Sequence, residues 1–342
     1  MRKKIGFLSF GHWRDTPGSA TRSAADSLLQ GIELAVAAEE LGVDGAYFRV
    51  HHFAQQQGSP LPLLAAIGAR TSRIEIGTGV IDMRYVNPWI FAEDAGAADL
   101  IAGGRLQLGL SRGSPEQVVD GWRYFGIAPR EDESVADMAR RVTLETLHAL
   151  EGEHFAEPNP EPMFPNPPGL LRLEPYAPGL RQRIWWGSIS DGTAVWAAKN
   201  GMNLMSSTLK TDETGEPFHV QQAKQIRAFR AEWDKHNHGF APRVSVSRSI
   251  IPLVTAQDRS YFLPGASAET TDQVGLLESV RSVFGRSYIA EPDVLIDQLR
   301  QDEAIAEADT LLITIPNQLG VDYNAHLLDS IVRHVAPGLG WR

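Results

Sequence analysis

The chain has 342 residues, of which 43% are hydrophobic and 22% are charged, and it contains no cysteine. This composition is typical of a globular protein, and it excludes disulfide bonds, cysteine-ligated metals and a thiol nucleophile. The formal net charge of -10 disfavours partners such as nucleic acid or an anionic membrane surface. The apolar run at residues 5–10 is too short for a signal peptide or a membrane span, so we expect a cytoplasmic protein that acts on a small molecule.

Short apolar runs recur along the chain, and segments with helical spacing separate them. The eight runs are IGFLSF from Ile5, GAYFRV from Gly45, IEIGTGVI from Ile74, RLQLGL from Arg105, RIWWGS from Arg183, NLMSS from Asn203, VSVSRSIIPLV from Val244 and TLLITI from Thr310. Strands that alternate with helices predict a parallel sheet with both faces covered. An open doubly wound sheet and a closed barrel both satisfy this pattern. The count of eight, the chain length and the lack of a G-x-G-x-x-G fingerprint favour an α/β fold of the (β/α)8 TIM-barrel type.

Two insertions interrupt the alternation, after the fourth and the seventh predicted strands. The first has helical patterns at residues 115–124 and 135–150, followed by a proline-rich stretch at residues 158–178 that predicts an extended surface connection. The second, residues 257–292, has a helical pattern and is rich in small polar residues. We expect it to be a mobile cover over the barrel mouth, the alternative being a helix packed on the barrel wall. Neither insertion is long enough for a domain, so the expected organisation is one barrel domain over residues 1–342.

The carboxyl ends of barrel strands are where this fold carries its chemistry. The second strand ends in His51-His52, and because adjacent strand residues face opposite ways, at most one of these histidines faces the barrel mouth. No further ligands stand at the spacing that a zinc site requires, so no metal is expected. The strand ends also lack the paired carboxylates of a glycosidase. The groups that are present at the strand ends are weak catalysts by themselves, which indicates that a cofactor supplies the chemistry.

The fourth and fifth strand ends predict an anion site. The sequence SISDGT, with Ser188, Ser190 and Thr193, opens a predicted helix and gathers hydroxyl and backbone N–H groups at its start. Arg112 follows the fourth strand and offers the fork-shaped cation that a phosphate prefers. The alternative is that Ser190 is only a helix cap and Arg112 only a surface ion-pair partner.

In this order, the motifs resemble those of the luciferase-like, flavin-dependent monooxygenases, the family of bacterial luciferase. RVHHF resembles the E-H-H-F element of the second strand, with Val50 in place of Glu. IEIGTGVI resembles the third strand, in which a non-prolyl cis peptide bond lies under the flavin ring, and the matching bond is Gly79-Val80. AEDAGAADLIAGGRLQLGLSRG is the most specific match, and SISDGTAVWAA resembles the phosphate-binding turn.

The resemblance implies a luciferase-like barrel that binds reduced FMN and uses dioxygen to oxidise a small organic substrate. It assigns the phosphate to Arg112 and to the turn that contains Ser188, Ser190 and Thr193. Ser111 stands where luciferase has a cysteine beside the flavin, so no role of that thiol carries over, and light emission is not expected.

The same resemblance makes His51 the catalytic candidate, because the first histidine of the pair lies by the flavin, where a neutral imidazole can exchange a proton. His52 is expected to be a packing residue. Gly79 and Val80 are expected to lie under the ring.

The resemblance also implies a separate reductase that supplies reduced FMN, and a homodimer or higher homo-oligomer. Two alternatives stay open: a deazaflavin-dependent oxidoreductase that transfers hydride on the same barrel, and a non-catalytic flavin-binding protein. The longer anionic tail of a deazaflavin would require further basic residues at the rim, for which Arg49, Arg84 and Arg112 are the candidates.

Overall fold

The strands form where the apolar runs predicted them. The computed structural model describes residues 3–113, 117–211, 214–265, 271–277 and 280–342. Its strands are β1 Lys4–Ser9, β2 Gly45–Phe48, β3 Glu75–Thr78, β4 Ile81–Asp82, β5 Leu106–Ser111, β6 Ile184–Ser188, β7 Asn203–Ser206, β8 Leu209–Lys210, β9 Val244–Arg248, β10 Ile250–Pro252, β11 Gln273–Leu277, β12 Val280–Phe284, β13 Tyr288–Ala290 and β14 Thr310–Ile315. Its α-helices are α1 Ala24–Glu40, α2 Pro60–Arg70, α3 Pro88–Ile101, α4 Val135–Leu150, α5 Asp191–Lys199, α6 Phe218–Trp233, α7 Ala256–Phe262, α8 Pro292–Arg300, α9 Glu303–Glu307 and α10 Gly320–Ser330. None of the helices in this described part is both long and apolar enough to cross a membrane.

Eight of these strands close into a parallel barrel. Around the barrel the order is β1, β2, β3, β5, β6, β7, β9 and β14, and β14 pairs with β1. The ring closes between β3 and β5, where Ile76 is paired with Leu106 and Gly77 with Gln107. The fold is therefore the (β/α)8 TIM barrel that the alternation predicted, and the open doubly wound sheet is excluded.

The third barrel strand is interrupted near its carboxyl end. β3 and β4 both pair with β5, and the Gly79-Val80 bond between them is a cis peptide bond, as the resemblance predicted. The Thr78 hydroxyl donates to the carbonyl of Gly109 at 2.9 Å and accepts from the Gly109 N–H at 3.0 Å. These two hydrogen bonds tie the interrupted strand to β5.

The inside of the barrel is apolar near the carboxyl ends of the strands and charged at their amino ends. The buried residues of the interior cluster are Leu8, Tyr47, Trp185, Met205 and Leu312. At the amino ends, Arg243 binds the two carboxylate oxygens of Glu75, each at 2.9 Å. Side chains therefore fill the amino end of the barrel.

The insertion after the fourth barrel strand, β5, contains one regular helix. α4 has the predicted bounds, and Ser134 caps it by accepting the N–H of Asp137 at 3.1 Å. The helix predicted at residues 115–124 is wrong for the described part, because only residues 121–125 form a short 3₁₀ helix; residues 115–116 lie outside the described residues. Residues 157–170 are exposed and non-helical, as the prolines predicted.

The insertion after the seventh barrel strand, β9, contains more β-structure than its helical pattern predicted. β11 and β12 form an antiparallel hairpin that extends to β8, and β10 pairs with β13. Arg248 at the end of β9 donates to Asp302 at 2.7 and 3.0 Å, and the Tyr288 hydroxyl donates to the same carboxylate at 2.7 Å. This buried network attaches the insertion to the barrel.

Candidate active site

A cavity of about 540 Å³ opens at the carboxyl ends of the barrel strands. All eight strands, or the residues directly after them, contribute to its lining. The predicted site residues that line it are His51, Gly79, Val80, Ser111, Arg112 and Thr193. The other two predicted residues, Ser188 and Ser190, lie behind this lining.

His51 and His52 face opposite sides of the barrel wall. His51 lines the cavity, and its backbone N–H donates to the carbonyl of Gln57 at 3.0 Å. The ring of His52 stacks on Tyr85 at a centroid distance of 4.3 Å and meets the edge of Phe125 at 4.9 Å. The alternation of strand residues predicted this division. His51 is therefore the histidine that can contact a molecule in the cavity.

A stack of three side chains lies next to His51, and two of them, Phe10 and Arg49, line the cavity. The ring of Phe10 lies parallel to that of His12 at 5.9 Å, and the guanidinium carbon of Arg49 lies 4.7 Å from the Phe10 centroid. Burial lowers the pKa of His12, and the charges of Arg49 and His51 lower it further. Its surroundings therefore favour the neutral form of the His12 imidazole.

Val80 forms an apolar platform at the bottom of the cavity. Its side chain packs against the interior cluster. Small residues on the neighbouring strands leave room for it, because a Cβ added to Gly109 or Gly187 would lie 2.8 or 3.1 Å from Val80 Cγ1. A flat apolar ring can rest on this platform.

Ser111 and Arg112 lie beside the cavity at the end of the fourth barrel strand. The Ser111 hydroxyl accepts from the Gly113 N–H at 3.1 Å and donates to the carbonyl of Ile81 at 3.4 Å. Arg112 is half-buried, and it forms no hydrogen bond or ion pair with any residue in the described part of the chain. Its guanidinium can therefore bind an anion without breaking a contact to those residues.

The start of α5 holds three hydroxyl groups in contact. Ser190 caps the helix by accepting the Thr193 N–H at 3.4 Å. The Ser188 hydroxyl donates to the carbonyl of Ser190 at 2.8 Å and lies 2.5 Å from the hydroxyl of Thr193. Ser188 is fully buried, so Thr193 is the member of the three that lines the cavity. Ser188 and Ser190 therefore support Thr193 and the start of the helix.

Two ion pairs flank the same side of the site. Arg84 Nε lies 3.0 Å from Asp82 Oδ1, and the pair lines the cavity. Lys210, only 2% exposed, binds Asp191, the first residue of α5, at 2.6 Å. The sequence analysis named Arg84 only as a candidate to bind the longer anionic tail of a deazaflavin. It did not name Lys210. A lysine in a two-residue strand belongs to no motif, so the sequence carries no signal for it.

A group of three hydroxyls, the hydroxyl wall, was missed by the prediction. Ser207, Thr208 and Ser247 line the cavity, and within the described residues none of their three hydroxyl groups takes part in a hydrogen bond. They lie at the ends of the sixth and seventh barrel strands, whereas the predicted site included only the first five ends. Their strand-end positions were the signal that could have identified them.

The segment predicted to cover the barrel mouth lies beside the cavity. No described residue of the range 257–292 lines the cavity. Instead the hairpin pairs Phe284 with Leu209, and Leu209 is a lining residue. The described residues therefore do not form the expected cover.

A TIM barrel with a lined cavity at the carboxyl ends of its strands has the architecture of a barrel enzyme with its active site at that face. Residues 4–260 match the family model of the luciferase-like monooxygenases. The chain belongs to this family.

Relatives of the chain include a monooxygenase and an enzyme whose name states that it depends on F420. Limonene 1,2-monooxygenase of Rhodococcus erythropolis is 28% identical over 358 aligned positions, which cover 98% of this chain and 88% of that protein. F420-dependent glucose-6-phosphate dehydrogenase of Nakamurella multipartita is 32% identical over 193 positions, 52% of this chain and 54% of that protein. The chain spans 32–64% of the length of four other curated relatives that it matches.

The fold is shared with the oxygenating component of 3,6-diketocamphane monooxygenase of Pseudomonas putida, a structure solved with FMN. The TM-score is 0.70 at 17% identity, and the alignment covers 98% of this chain and 99% of that one.

Proposed function

We propose that this protein is the oxygenase component of an FMN-dependent monooxygenase. It binds reduced FMN from a separate reductase and oxidises a small organic molecule with dioxygen. One arrangement carries the proposal: a single cavity is lined by Arg112 and Thr193, which follow the fourth and fifth barrel strands, and by His51 and Val80, which follow the second and third. Strands lie about 4.8 Å apart, so ends two strands apart are on the order of 10 Å from each other, which suits a ring at one end and a phosphate at the other.

Arg112 and the start of α5 are the groups that hold the phosphate in this proposal. A guanidinium forms charge-assisted, bidentate hydrogen bonds with phosphate oxygens. The first N–H groups of a helix and the Thr193 hydroxyl add donors next to the positive end of the helix dipole. Ser190 and Lys210 keep this helix start in position through the contacts described above.

Val80 and His51 are the residues at the reacting end. Val80 supports one face of the flat ring, and the interior cluster below it keeps water from that face. When bound, reduced FMN supplies the electrons that activate dioxygen. The imidazole of His51 accepts a proton from, or donates one to, an oxygen of the substrate in the cavity.

A deazaflavin-dependent oxidoreductase is the second candidate function. The observation that favours it is the 32% identity to an enzyme named as F420-dependent. Such a cofactor has a longer anionic tail, which would extend from Arg112 toward Arg84. In this chain, however, Arg84 already binds Asp82, since Nη2 of Arg84 lies 2.5 Å from Oδ2 of Asp82. FMN therefore remains the first choice.

Cofactor titration tests the proposal. The purified protein is titrated with FMN, reduced FMN and reduced F420 under anaerobic conditions, and binding is followed by flavin fluorescence and absorbance. We expect reduced FMN to bind more tightly than reduced F420, and the complex to consume dioxygen when mixed with air. Tight binding of F420 alone would identify the second candidate. Binding of reduced FMN that leaves the rate of flavin reoxidation in air equal to that of free reduced FMN would identify a flavin-binding protein.

The proposal includes a reductase partner and a homodimer or higher homo-oligomer. α3 exposes Ile90, Leu100 and Ile101, with 50–59% of each side chain accessible, which offers an apolar surface for a second copy. Light scattering coupled to size exclusion measures the assembly directly. A monomer at micromolar concentration would contradict this part of the proposal.

A further inference from the structure

The ion pair between Lys210 and Asp191 has a buried cation and an exposed anion. The side chain of Lys210 is 2% exposed and that of Asp191 is 51% exposed, and Nζ lies 2.6 Å from Oδ1. Asp191 is the first residue of α5, so its carboxylate stands at the start of that helix. A buried ammonium group is stable only next to an anion. The lysine therefore depends on Asp191 for its charge partner.

The backbone already attaches the residues around β8 to the turn before α5. The N–H of Ser207 donates to the carbonyl of Ser188 at 3.1 Å, and the N–H of Thr211 donates to the carbonyl of Ile189 at 3.0 Å. Neither hydrogen bond depends on a side chain. The ion pair adds to an attachment that exists without it, so its two charges call for a further explanation.

A carboxylate is an unfavourable neighbour for a phosphate at the same helix start. In the proposed function the phosphate binds there, next to Arg112 and Thr193. A phosphate group carries about -1.5 to -2 charges at pH 7, and like charges at short range repel each other. The positive end of the helix dipole is equivalent to only about half a charge, which is too little to offset both anions. Binding of the phosphate therefore requires a cation that compensates Asp191.

We propose that Lys210 is this cation: it neutralises Asp191, so that the start of α5 accepts the phosphate of FMN. The inference rests on the proposed function for the location of the phosphate. It concerns residues behind the site, since neither Lys210 nor Asp191 is among the described residues that line the cavity. Pairing of Lys210 with Val283 of β12 holds the lysine at this position, so the β11–β12 hairpin supports the phosphate site from outside the barrel.

Two single variants and the double variant test the proposal. Lys210→Met keeps an unbranched apolar side chain and leaves Asp191 charged, so it should weaken FMN binding about tenfold. Asp191→Asn removes the carboxylate, so FMN binding should be equally tight or tighter. The double variant has neither charge and should bind FMN within about threefold of wild type. Riboflavin lacks the phosphate, and its affinity should be the same in all four proteins.

The direction of these effects separates charge compensation from a purely structural role. If the pair only held β8 against α5, loss of either partner would weaken FMN and riboflavin alike, and the double variant would not recover. High salt should reduce the defect of Lys210→Met, because it screens the repulsion. Asp191→Asn leaves a buried ammonium without its anion and should lower the thermal stability. If that variant does not fold, the comparison of Lys210→Met with the double variant still decides.

Lys235→Met is the matched control. Lys235 is exposed and binds Glu232 at 2.7 Å at the end of α6, on the opposite face of the barrel, so its loss should leave FMN binding unchanged. The proposal is overturned if Lys210→Met leaves FMN binding unchanged, if Asp191→Asn weakens it, if the double variant does not recover, or if riboflavin affinity falls with that of FMN.

Inorganic phosphate separates this proposal from the proposed function. Its binding to the flavin-free protein is followed by ³¹P NMR, with Arg112→Ala to identify the site. Failure of the wild type to bind FMN would refute the proposed function. Phosphate binding that is lost in Arg112→Ala, weakened in Lys210→Met and recovered in the double variant would still support the role of Lys210. Phosphate binding that is the same in wild type and Lys210→Met would overturn it.

Discussion

His51 and His52 are consecutive in the chain, yet one imidazole lines the cavity and the other is stacked 4.3 Å from Tyr85 on the far side of the wall. The two side chains therefore meet different environments although their backbones are adjacent. His51 lines the cavity, and His52 belongs to an aromatic cluster with Tyr85 and Phe125. Substitution of each residue should change a different property of the protein.

We expect His51→Ala to lower turnover with reduced FMN and dioxygen by about 10²–10⁴-fold, the usual effect of losing a general acid or base. FMN affinity should fall far less, because the phosphate is held at the other end of the cavity. The release of hydrogen peroxide per flavin oxidised should rise, since substrate oxidation is slowed. The assay includes an oxidisable substrate, because without one each reduced FMN yields one hydrogen peroxide in the wild type and in the variant alike.

His52→Ala serves as the control for that experiment. It should lower the free energy of unfolding by roughly 1–3 kcal/mol through lost aromatic packing, and change turnover much less. If peroxide yield changes in the His52 variant and not in the His51 variant, the assignment of His51 is wrong.

Arg112→Ala should weaken FMN binding about tenfold to a hundredfold, because a charge-assisted hydrogen bond contributes about 1.5–3 kcal/mol. Riboflavin lacks the phosphate, so its affinity should stay the same. Arg140→Ala, which removes an exposed cation from α4, is the control and should affect neither ligand. Equal losses for FMN and riboflavin would show that Arg112 does not bind the phosphate.

Gly113→Ala should disturb the site as well as the fold. Gly113 has φ +89°, and an added Cβ would collide with Arg84 and Asp82. Gly126→Ala isolates the backbone effect, because Gly126 has φ +72° and open space around it. The control should lose about 1–2 kcal/mol of stability. Gly113→Ala should lose more stability than the control, and it should also bind FMN less tightly. FMN binding equal to that of Gly126→Ala would contradict this prediction.

The ion pair between Arg248 and Asp302 should make stability depend on pH in acid. Burial by itself would raise the pKa of Asp302, but the Arg248 guanidinium and the hydrogen bonds around the carboxylate hold that pKa below its ordinary value. A depressed pKa stabilises the fold above the unfolded-state pKa of about 3.9, and this contribution is lost as the pH falls further, through the folded-state pKa.

Asp302→Asn should therefore cost about 3–5 kcal/mol at pH 7, because it leaves a buried guanidinium without its charge partner. The difference from wild type should shrink below about pH 4, because the carboxylate of the unfolded chain is protonated there, and it should vanish as the pH falls through the lower folded-state pKa. Urea denaturation at pH 7, 4 and 3 measures this difference in the free energy of unfolding. Asp137→Asn, at an exposed ion pair on α4, is the control and should differ from wild type by less than about 1 kcal/mol at each pH. A constant difference for Asp302→Asn at all three values would refute the linkage.

Regular local patterns made much of the fold predictable. Each of the eight apolar runs became a barrel strand, and α4 begins after its serine cap as its periodicity indicated. The division of His51 from His52 agreed with the prediction from strand alternation, although β2 ends at Phe48 and both histidines lie in the loop that follows it. The segment 273–284 was harder, because its apolar residues Leu276, Val280 and Val283 are also compatible with helical spacing. Pairing with β8, more than sixty residues earlier in the chain, stabilises it as a hairpin.

The sequence by itself determined the strand order of the chain, the family and the residues at the first five strand ends. Only the tertiary structure decided which of those residues reach the cavity: Thr193 does, and Ser188 is buried behind it. It also decided that Lys210 binds Asp191. The physical reason is that strands and caps depend on neighbours within a few residues, whereas closure of the barrel brings together side chains that are far apart in the chain, and their contacts leave no periodic mark on the sequence.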